Sequence, residues 1–332
     1  MNLLDLLHLR PKPPPSIFLP RTPLANFLHS PIRFLAQTLY PLLLRLHPGP
    51  DPTSPSPSGI RVVCISDTHT KTTSAIPRGD LLIHAGDLTN SGSAAEIQAQ
   101  LDWLRSLSFQ HTVFVAGNHD AFFDQESRRA EDRAVKLDTS GLHYLEDSSV
   151  TLEFPDHGGR TLKVYGSPHV LRCGGSDFAF QYGRAESKSL WRGRVLADAD
   201  VLVTHSPPAW HRDLPAGLGD AELLEECWRV RPRLHVFGHV HAGAGKEVVG
   251  WGWMQRVYEA VCRRPVGGLA ELLDFGGWVA LGAMALLGVL EGALGWVLRG
   301  RRRRARGGWM VNAALSVADT GRLGNPVQVV YL

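Results

Sequence analysis

Apolar residues in this chain gather into short blocks, and each block ends on a polar cluster. The runs Arg61-Val-Val-Cys-Ile-Ser66, Leu81-Leu-Ile-His-Ala85, His111-Thr-Val-Phe-Val-Ala116, Val201-Leu-Val-Thr204 and Leu234-His-Val-Phe237 have strand length and no alternation. That pattern predicts strands buried on both faces, as in parallel sheets. Each run delivers oxygen or imidazole groups just past its carboxyl end. These are Asp67 and His69, then Asp87, then Asn118 and His119, then His205, then His239 and His241. Open α/β sheets place their ligands at such ends. Ser93-Ala-Ala-Glu96 reads as a capping box opening a helix to about Leu107. A charged helix is expected over Gln125–Leu137 and another over Ala221–Arg229. Leu162–Gly166, Met310–Leu315 and Val327–Leu332 read as further strands. Helices alternating with apolar strands predict an α/β fold.

The first 59 residues do not share this pattern. Prolines recur from Pro11 to Pro50 and break each helical pattern. From Leu6 to Pro50 the chain has no acid but carries Arg10, Lys12, Arg21, Arg33 and Arg45. Two readings stand open: a targeting or membrane-surface segment, or a poorly ordered leader. Asp51–Gly59 is a linker by composition. The chain then divides into a leader and linker at 1–59, a catalytic domain at 60–250 and 309–332, and an insertion at 251–308.

With 332 residues, 44% of them hydrophobic, the chain can build one large core plus extensions. A net charge of +3 says little about nucleic acid, and no specific nucleic-acid binding is expected. Four widely spaced cysteines, Cys64, Cys173, Cys227 and Cys262, suggest neither a disulfide framework nor a cysteine zinc site, and favour an intracellular, cytoplasmic setting.

Asp67, His69, Asp87, Asn118, His205, His239 and His241 make seven candidate ligands. Two metal ions with four protein ligands each, sharing one carboxylate, need that number, and Asp87 is read as the shared residue. Imidazole with carboxylate and amide oxygen, and no thiolate, suits Zn, Mn or Fe over Mg or Ca. Such a pair clamps a phosphoryl group and generates a hydroxide that attacks phosphorus in line. His119, next to Asn118, is placed to protonate the leaving oxygen.

Asp-x-His at 67–69, Gly-Asp at 86–87, Gly-Asn-His-Asp at 117–120, His205 in Thr-His-Ser-Pro-Pro, and Gly-His-x-His at 238–241, in that order, resemble the calcineurin-like metallophosphoesterases. Within that superfamily Ser66–Thr70, Leu81–Leu88, Arg231–His239 and Val311-Asn-Ala-Ala resemble the metallophosphoesterase-domain-containing branch. The resemblance implies a four-layer αββα sandwich, here with an N-terminal extension and a helical hydrophobic insertion. It implies two divalent or trivalent ions (Mn, Fe or Zn), one on Asp67, His69, Asp87 and His241, the other on Asp87, Asn118, His205 and His239. His119 matches the family's phosphate-facing histidine. The implied substrate is a phosphoester, with cyclic nucleotides in view for this branch.

Other residues read more plainly. His84 and His235 lie inside strands and are expected to be structural. His169, Arg172 and Cys173 lie in a Gly-rich loop, where substrate contact and a plain loop role compete, and Cys173 reads as an inert thiol. Asp120 is expected to hold a histidine, and Asn312 either supports the site or turns the chain at a strand end.

The insertion departs from the family pattern. Phe275–Leu298 holds one charge, Glu291, and as a helix runs about 36 Å, enough to span a bilayer. Trp278 and Trp296 sit near its ends, and Arg299, Arg301–Arg304 and Arg306 follow. Arg256–Asp274 reads as a surface amphipathic stretch. Strands before and after the insertion belong to one domain, so the insertion must cross a membrane an even number of times, yet one segment alone is apolar enough. The reading taken forward is an in-plane or re-entrant element that docks the enzyme on an anionic membrane surface through residues 275–306. A packed helix, a translated intron and a true single span are the alternatives. The expected function is therefore a metal-dependent phosphoesterase, a diesterase first, held peripherally at a membrane. The alternatives are a membrane-associated metal-binding interaction module and a phosphomonoesterase.

Overall fold

The structure is a computed structural model that describes residues 19, 21–47, 59–214, 217–297, 307–318 and 320–332. The linker at 51–58 and the arginines from Arg299 to Arg306 lie outside the described residues. The rest falls into two compact units, one drawn from residues 50–249 and 307–332, the other from residues 1–49 and 250–306.

In the second unit, α1 (Pro23–His29) and α2 (Pro31–Leu44) come from the leader. Two of the leader's prolines, Pro23 and Pro31, stand at the first helical positions, while Pro41 is carried inside α2. At the first positions the missing N–H has no partner to lose and the fixed φ suits the helix. In α2, Ile32, Ala36, Tyr40 and Leu43 fall at helical spacing on one face, and all are buried.

The larger unit is an α/β sandwich. Its strands, in chain order, are β1 (Arg61–Ile65), β2 (Leu81–Ala85), β3 (His111–Val115), β4 (His143–Tyr144), β5 (Ser148–Phe154), β6 (Arg160–Ser167), β7 (Val170–Leu171), β8 (Gln181–Tyr182), β9 (Val201–Thr204), β10 (Leu234–Phe237), β11 (Gly245–Val249), β12 (Gly308–Asn312) and β13 (Gln328–Tyr331). One sheet has the order β13-β1-β2-β3-β4 and the other β11-β12-β10-β9-β6-β5. The runs read as buried on both faces are central and parallel: β1 pairs with β2, β2 with β3, and β9 with β10. Their inward residues, among them Ile83, Val113, Val203 and Val236, share one core with Leu162 and Val311.

Helices cover the outer faces. In chain order these are α3 (Ala94–Ser106), α4 (Ser187–Trp191) and α5 (Ala221–Val230). Helix α3 sets Ile97, Leu101 and Leu104 against Val63, Leu82 and Phe114. Helix α5 meets the other sheet where Cys227 Sγ lies 3.4 Å from His235 Nδ1. Ser93 caps α3 by accepting from the Glu96 N–H, as its sequence predicts. The Glu96 carboxylate accepts instead from the Ser91 N–H, at 2.9 Å.

The charged helix expected over 125–137 is not formed. That stretch is turns with one short 3-10 segment, Ala130–Asp132. Its side chains are committed elsewhere. The Asp132 carboxylate accepts from the Ala94 N–H at the start of α3, and Arg128 and Arg129 donate to the carbonyls of Phe122 and Ser91. Tertiary hydrogen bonds of this kind outweigh the weak helical preference of a polar segment.

The helical unit is completed by α6 (Trp253–Arg263), a 3-10 turn at Gly268–Leu273 and α7 (Phe275–Val297). Two carboxylates organise it. Glu271 accepts from Ser30 Oγ at 2.9 Å and from the Ile32 N–H at 3.1 Å, so it caps the start of α2. Glu291, the one charge in the apolar helix, accepts from the N–H groups of Trp253 and Met254 and caps α6. Both place negative charge at helix N-termini, where unpaired donors and the helix dipole favour it. Tyr40 stacks on Tyr258 at 4.3 Å and donates to Gln255 Oε1 at 2.8 Å. Leader and insertion thus form one helical body.

Candidate metal centre

The five apolar strands end together, and the turns that follow them are forced into unusual backbone. Asp67, His69, Asp87 and His239 all have positive φ, between 48° and 66°. Non-glycine residues reach that region at a cost, and such strain gathers at functional sites. Two of the motif glycines are required by close approach. A Cβ on Gly117 would collide with Asp87 Oδ1 and the Asp87 N–H, and one on Gly238 with Ser66 Oγ and Asp67 Oδ2. Each glycine leaves room for a carboxylate.

The seven predicted ligands and His119 meet here. Asp67, His69 and His241 form one cluster, and Asp87, His205 and His239 another. Asp87 stands between them: its Oδ2 is 3.8 Å from His69 Nε2 and 3.4 Å from His205 Nε2. Its other oxygen accepts from the His119 N–H at 2.9 Å, which fixes the carboxylate. Asn118 joins the second cluster through Oδ1, 3.1 Å from His205 Nε2. Asp67 accepts from the His239 N–H with both oxygens and lies 3.3 Å from His241 Nε2. His119 stands within reach of His69 and Asp87. Its Nδ1 is 2.9 Å from the Asn90 carbonyl.

The donor set fits metal. His205 Nδ1 is 2.9 Å from the Ala85 carbonyl, and His241 Nδ1 is 2.7 Å from the Ala318 carbonyl. A carbonyl can only accept, so each Nδ1 carries the proton and each Nε2 is turned toward the carboxylates. That is the arrangement of a metal-ligating histidine with its outer partner.

Buried Asp67 and Asp87 would by desolvation alone resist ionisation. Hydrogen bonding and attraction from His241 bring Asp67 down to about 2, and His205 holds Asp87 well below the carboxylate range. Burial also works against charge on His205 and His241. Asp87 and Asp67 outweigh it and raise the two histidines to about 9. Burial and the His205 charge lower His239 to about 4.

One expectation changes. Asp120 holds no histidine. Its carboxylate accepts from the N–H groups of Leu88, Thr89 and Gly117 and from Thr89 Oγ1, so it fixes the backbone around Asp87. His169 pairs with Asp147 at 2.9 Å, which also takes Arg194 at 2.6 Å, leaving it engaged outside the clusters. Cys173 is raised to about 12 by burial and by Asp87, a neutral thiol rather than a ligand. The plainer readings hold for His84, 3.0 Å from Thr68 Oγ1, and His235, 2.8 Å from Thr204 Oγ1. Asn312 supports the site, donating to the Val240 carbonyl between His239 and His241 at 2.9 Å.

Several supports were not foreseen. Ser316 Oγ donates to the Asp67 carbonyl at 2.7 Å, and Asn325 Nδ2 donates to the His241 carbonyl at 3.1 Å. The carbonyls of Ala85, Asn90 and Ala318 carry no signal in a sequence, because every residue has one.

Comparison with known proteins agrees with this geometry. The calcineurin-like phosphoesterase family matches residues 60–243. A protein of Emericella nidulans named probable rhamnogalacturonate lyase C is 42% identical over 245 residues, covering 71% of this chain and 22% of its own length. The chain thus spans about a fifth of that relative. Human metallophosphoesterase domain-containing protein 1 is 35% identical over 234 residues, covering 63% of this chain and 68% of its own length. A UPF0046 protein of Caenorhabditis elegans is 36% identical over 200 residues, covering 56% of this chain and 70% of its own. With its two histidine–carboxylate clusters joined through Asp87, the chain belongs to the calcineurin-like phosphoesterase family, whose members work with a dinuclear divalent metal site.

Proposed function

We propose that the chain is a metal-dependent phosphodiesterase. The observation that carries this reading is the position of Asp87 Oδ2, within 3.8 Å of an imidazole nitrogen from each cluster. Asp67, His69, Asp87 and His241 would hold one ion, and Asp87, Asn118, His205 and His239 the other. Bound there, two divalent ions supply Lewis acidity toward the phosphoryl oxygens and an activated water as nucleophile. Two such ions, set against two carboxylates and the charge of the nucleophile, leave one positive charge. A phosphodiester carries one negative charge, so it matches the site better than a dianionic monoester.

The chain's own contribution is positioning and proton transfer. The N–H groups of His119 and His239 hold the carboxylates of Asp87 and Asp67 in place. The Asn90 carbonyl fixes the His119 ring at Nδ1, which leaves Nε2 to serve the leaving oxygen.

The test is hydrolysis of bis(p-nitrophenyl) phosphate against p-nitrophenyl phosphate, with Mn added or chelated. Metal-dependent cleavage favouring the diester, and slowed about 100-fold or more by His119→Ala, is the expected result. No cleavage of either compound with metal bound would instead favour an interaction module. Preference for the monoester would favour a phosphatase.

A second reading places this activity in the cytoplasm at a membrane surface. The outer face of α7 supports it: Phe275, Leu286, Leu290 and Leu294 are 81%, 60%, 54% and 55% exposed, on a helix long and apolar enough to cross a bilayer. An exposed apolar stripe followed in sequence by an arginine run suits an anionic lipid surface. Strands β10 and β12, on either side of the insertion, pair in register, so both ends of the insertion lie on one side of any membrane. That favours an in-plane helix over a span. Cosedimentation with phosphatidylserine vesicles should be lost in Leu286→Ser/Leu290→Ser/Leu294→Ser, and retention of binding would remove the docking face.

A further inference from the structure

The loop between β7 and β8 is built to hold one side chain against His119. Gln181 gathers it. Its Oε1 accepts from the N–H groups of Cys173 and Gly174 at 3.0 and 3.3 Å, and its Nε2 donates to the carbonyls of Gly175 and Phe178 at 2.8 and 3.1 Å. The Phe178 N–H donates to the Gly175 carbonyl at 3.3 Å. Gly174 lies under the Phe178 ring, where a Cβ would collide with the ring edge. The next residue fastens the loop to the centre: the Ala179 N–H donates to the Asn118 carbonyl at 2.9 Å.

The Phe178 ring is half-buried, with its centroid 4.7 Å from that of His119 at an interplanar angle of 53°. His69 also meets the His119 ring, at 4.9 Å and 85°. The His119 imidazole therefore has both a metal-side histidine and a phenyl ring as ring neighbours. Its Nδ1 is taken by Asn90. Whatever leaves the phosphorus next to this histidine passes beside Phe178.

Resting on the phosphodiesterase reading, we propose that Phe178 is a specificity-determining residue: it forms the apolar wall that receives the leaving group and selects esters whose leaving alcohol carries an aromatic ring at the scissile oxygen. Aromatic rings prefer offset or edge contacts with centroids about 4.5–7 Å apart, so a leaving ring beside His119 falls within range of Phe178. Phe178 also acts as a positioning residue for His119, through the ring contact and the Asn118 tie.

Two measurements test this on the full metal-loaded chain. The first is calorimetric binding of phenylphosphonate and ethylphosphonate, whose P–C bonds are not hydrolysed. Wild type should bind the phenyl compound about threefold to tenfold more tightly. Phe178→Ala should remove the difference, and Phe178→Tyr should restore it. The second is hydrolysis of methyl phenyl phosphate and methyl trifluoroethyl phosphate. Phe178→Ala should raise KM for the phenyl ester and leave KM for the alkyl ester near wild type, while kcat falls for both as His119 loses its contact with the phenyl ring. Gln181→Ala, which loosens the loop, should move both readouts in the same direction. A phenyl preference that survives in Phe178→Ala would overturn the proposal. So would loss of both ligands together with loss of metal, which would make Phe178 a support of Asn118 only. Wild type that cleaves no diester, yet shows the phenyl preference and its loss in Phe178→Ala, would sink the phosphodiesterase reading and keep the aromatic wall.

Discussion

His69 and His241 present their Nε2 atoms to each other at 3.2 Å. Two lone pairs cannot face one another so closely without a proton or a cation to bind them. His241 has its Nδ1 proton on the Ala318 carbonyl and is raised to about 9, while burial lowers His69. In metal-free protein at pH 7, His241 therefore carries the second proton and His69 accepts. His205, also raised to about 9, does the same for the other cluster, beside Asp87. Protons stand where cations would. Metal binding at pH 7 should release about two protons, because these ligands must be neutral to coordinate. Calorimetry with Mn in two buffers of different ionisation enthalpy measures the number. Release near zero would show that the two histidines are already neutral.

The same pairs set how the metal-free fold responds to pH. His205 and His241 are raised from 6.5 to about 9, so what they contribute is fully present below about pH 6.5 and is lost as pH rises through 9. Asp67 is lowered from 3.8 to about 2, so its contribution is present above 3.8 and is lost as pH falls through 2. Both describe one set of ion pairs, which works best between about pH 4 and 6.5. The melting temperature of chelator-treated protein should fall from pH 6.5 to 9, while Mn-loaded protein should not follow it. A flat metal-free profile over that range would refute the protonated pairs.

Gly238→Ala tests the crowding at the first cluster. The added methyl meets the Ser66 hydroxyl and the Asp67 carboxylate, which are buried and have nowhere to retreat. The carboxylate must then leave the His239 N–H and the His241 ring. Hydrolysis should drop by 100-fold or more, with metal content reduced, since sub-ångström ligand placement decides such sites. Near-normal metal content would show that the glycine serves the chain turn and not the ligand.

The catalytic sheets and the metal clusters were legible for one reason. Central parallel strands are apolar on both faces, and ligands sit at their tips, so pattern and chemistry coincide at Asp67, Asp87, Asn118, His205 and His239. Edge strands lose that coincidence. Ser148–Phe154 alternates exposure, with Leu152 and Phe154 inward and Thr151 and Glu153 outward, and is missing from the strands expected of the sequence because it has no long apolar run. The leader was obscured because Pro23 and Pro31 are helix starters or helix breakers according to a position that sequence alone does not reveal. Asp120 misled for a related reason. A carboxylate beside a histidine in sequence is free to turn inward, and this one turned to the backbone.

That turn makes Asp120 a stability determinant. Its four accepted hydrogen bonds come from three backbone N–H groups and one hydroxyl, all around Asp87. Asp120→Asn keeps the volume but turns an NH₂ group toward at least one donor pair. Buried unsatisfied donors cost about 1–3 kcal/mol each, so a loss of about 2–4 kcal/mol in unfolding free energy is expected, with weaker Mn binding. Urea unfolding of Asp120→Asn measures the first and calorimetry the second. Unchanged values for both would mean that water takes over the carboxylate's role.

The leader's place in the helical unit leads to the last expectation. Ile32, Ala36, Tyr40 and Leu43 are buried there, as are Tyr258 on α6 and Leu281 and Met284 on α7. Gly288 and Gly292 on α7 come close to Leu43 and Leu46, and His47 Nε2 is 3.1 Å from the Gly288 carbonyl. Removing residues 1–49 would uncover that face and strip Glu271 of its partners Ser30 and Ile32. The remaining helices would then carry apolar surface on two sides, a pattern that drives association. The truncated chain should elute as aggregates and lose helical signal below the melting temperature of the full chain. Because truncation alone could fail for other reasons, Tyr40→Ala in the full chain is the companion. It removes a stacked ring and the hydrogen bond to Gln255, and should cost about 3–5 kcal/mol within the helical unit. A truncated chain that stays monodisperse with unchanged helical content, beside an unaffected Tyr40→Ala, would mean that the insertion folds without the leader.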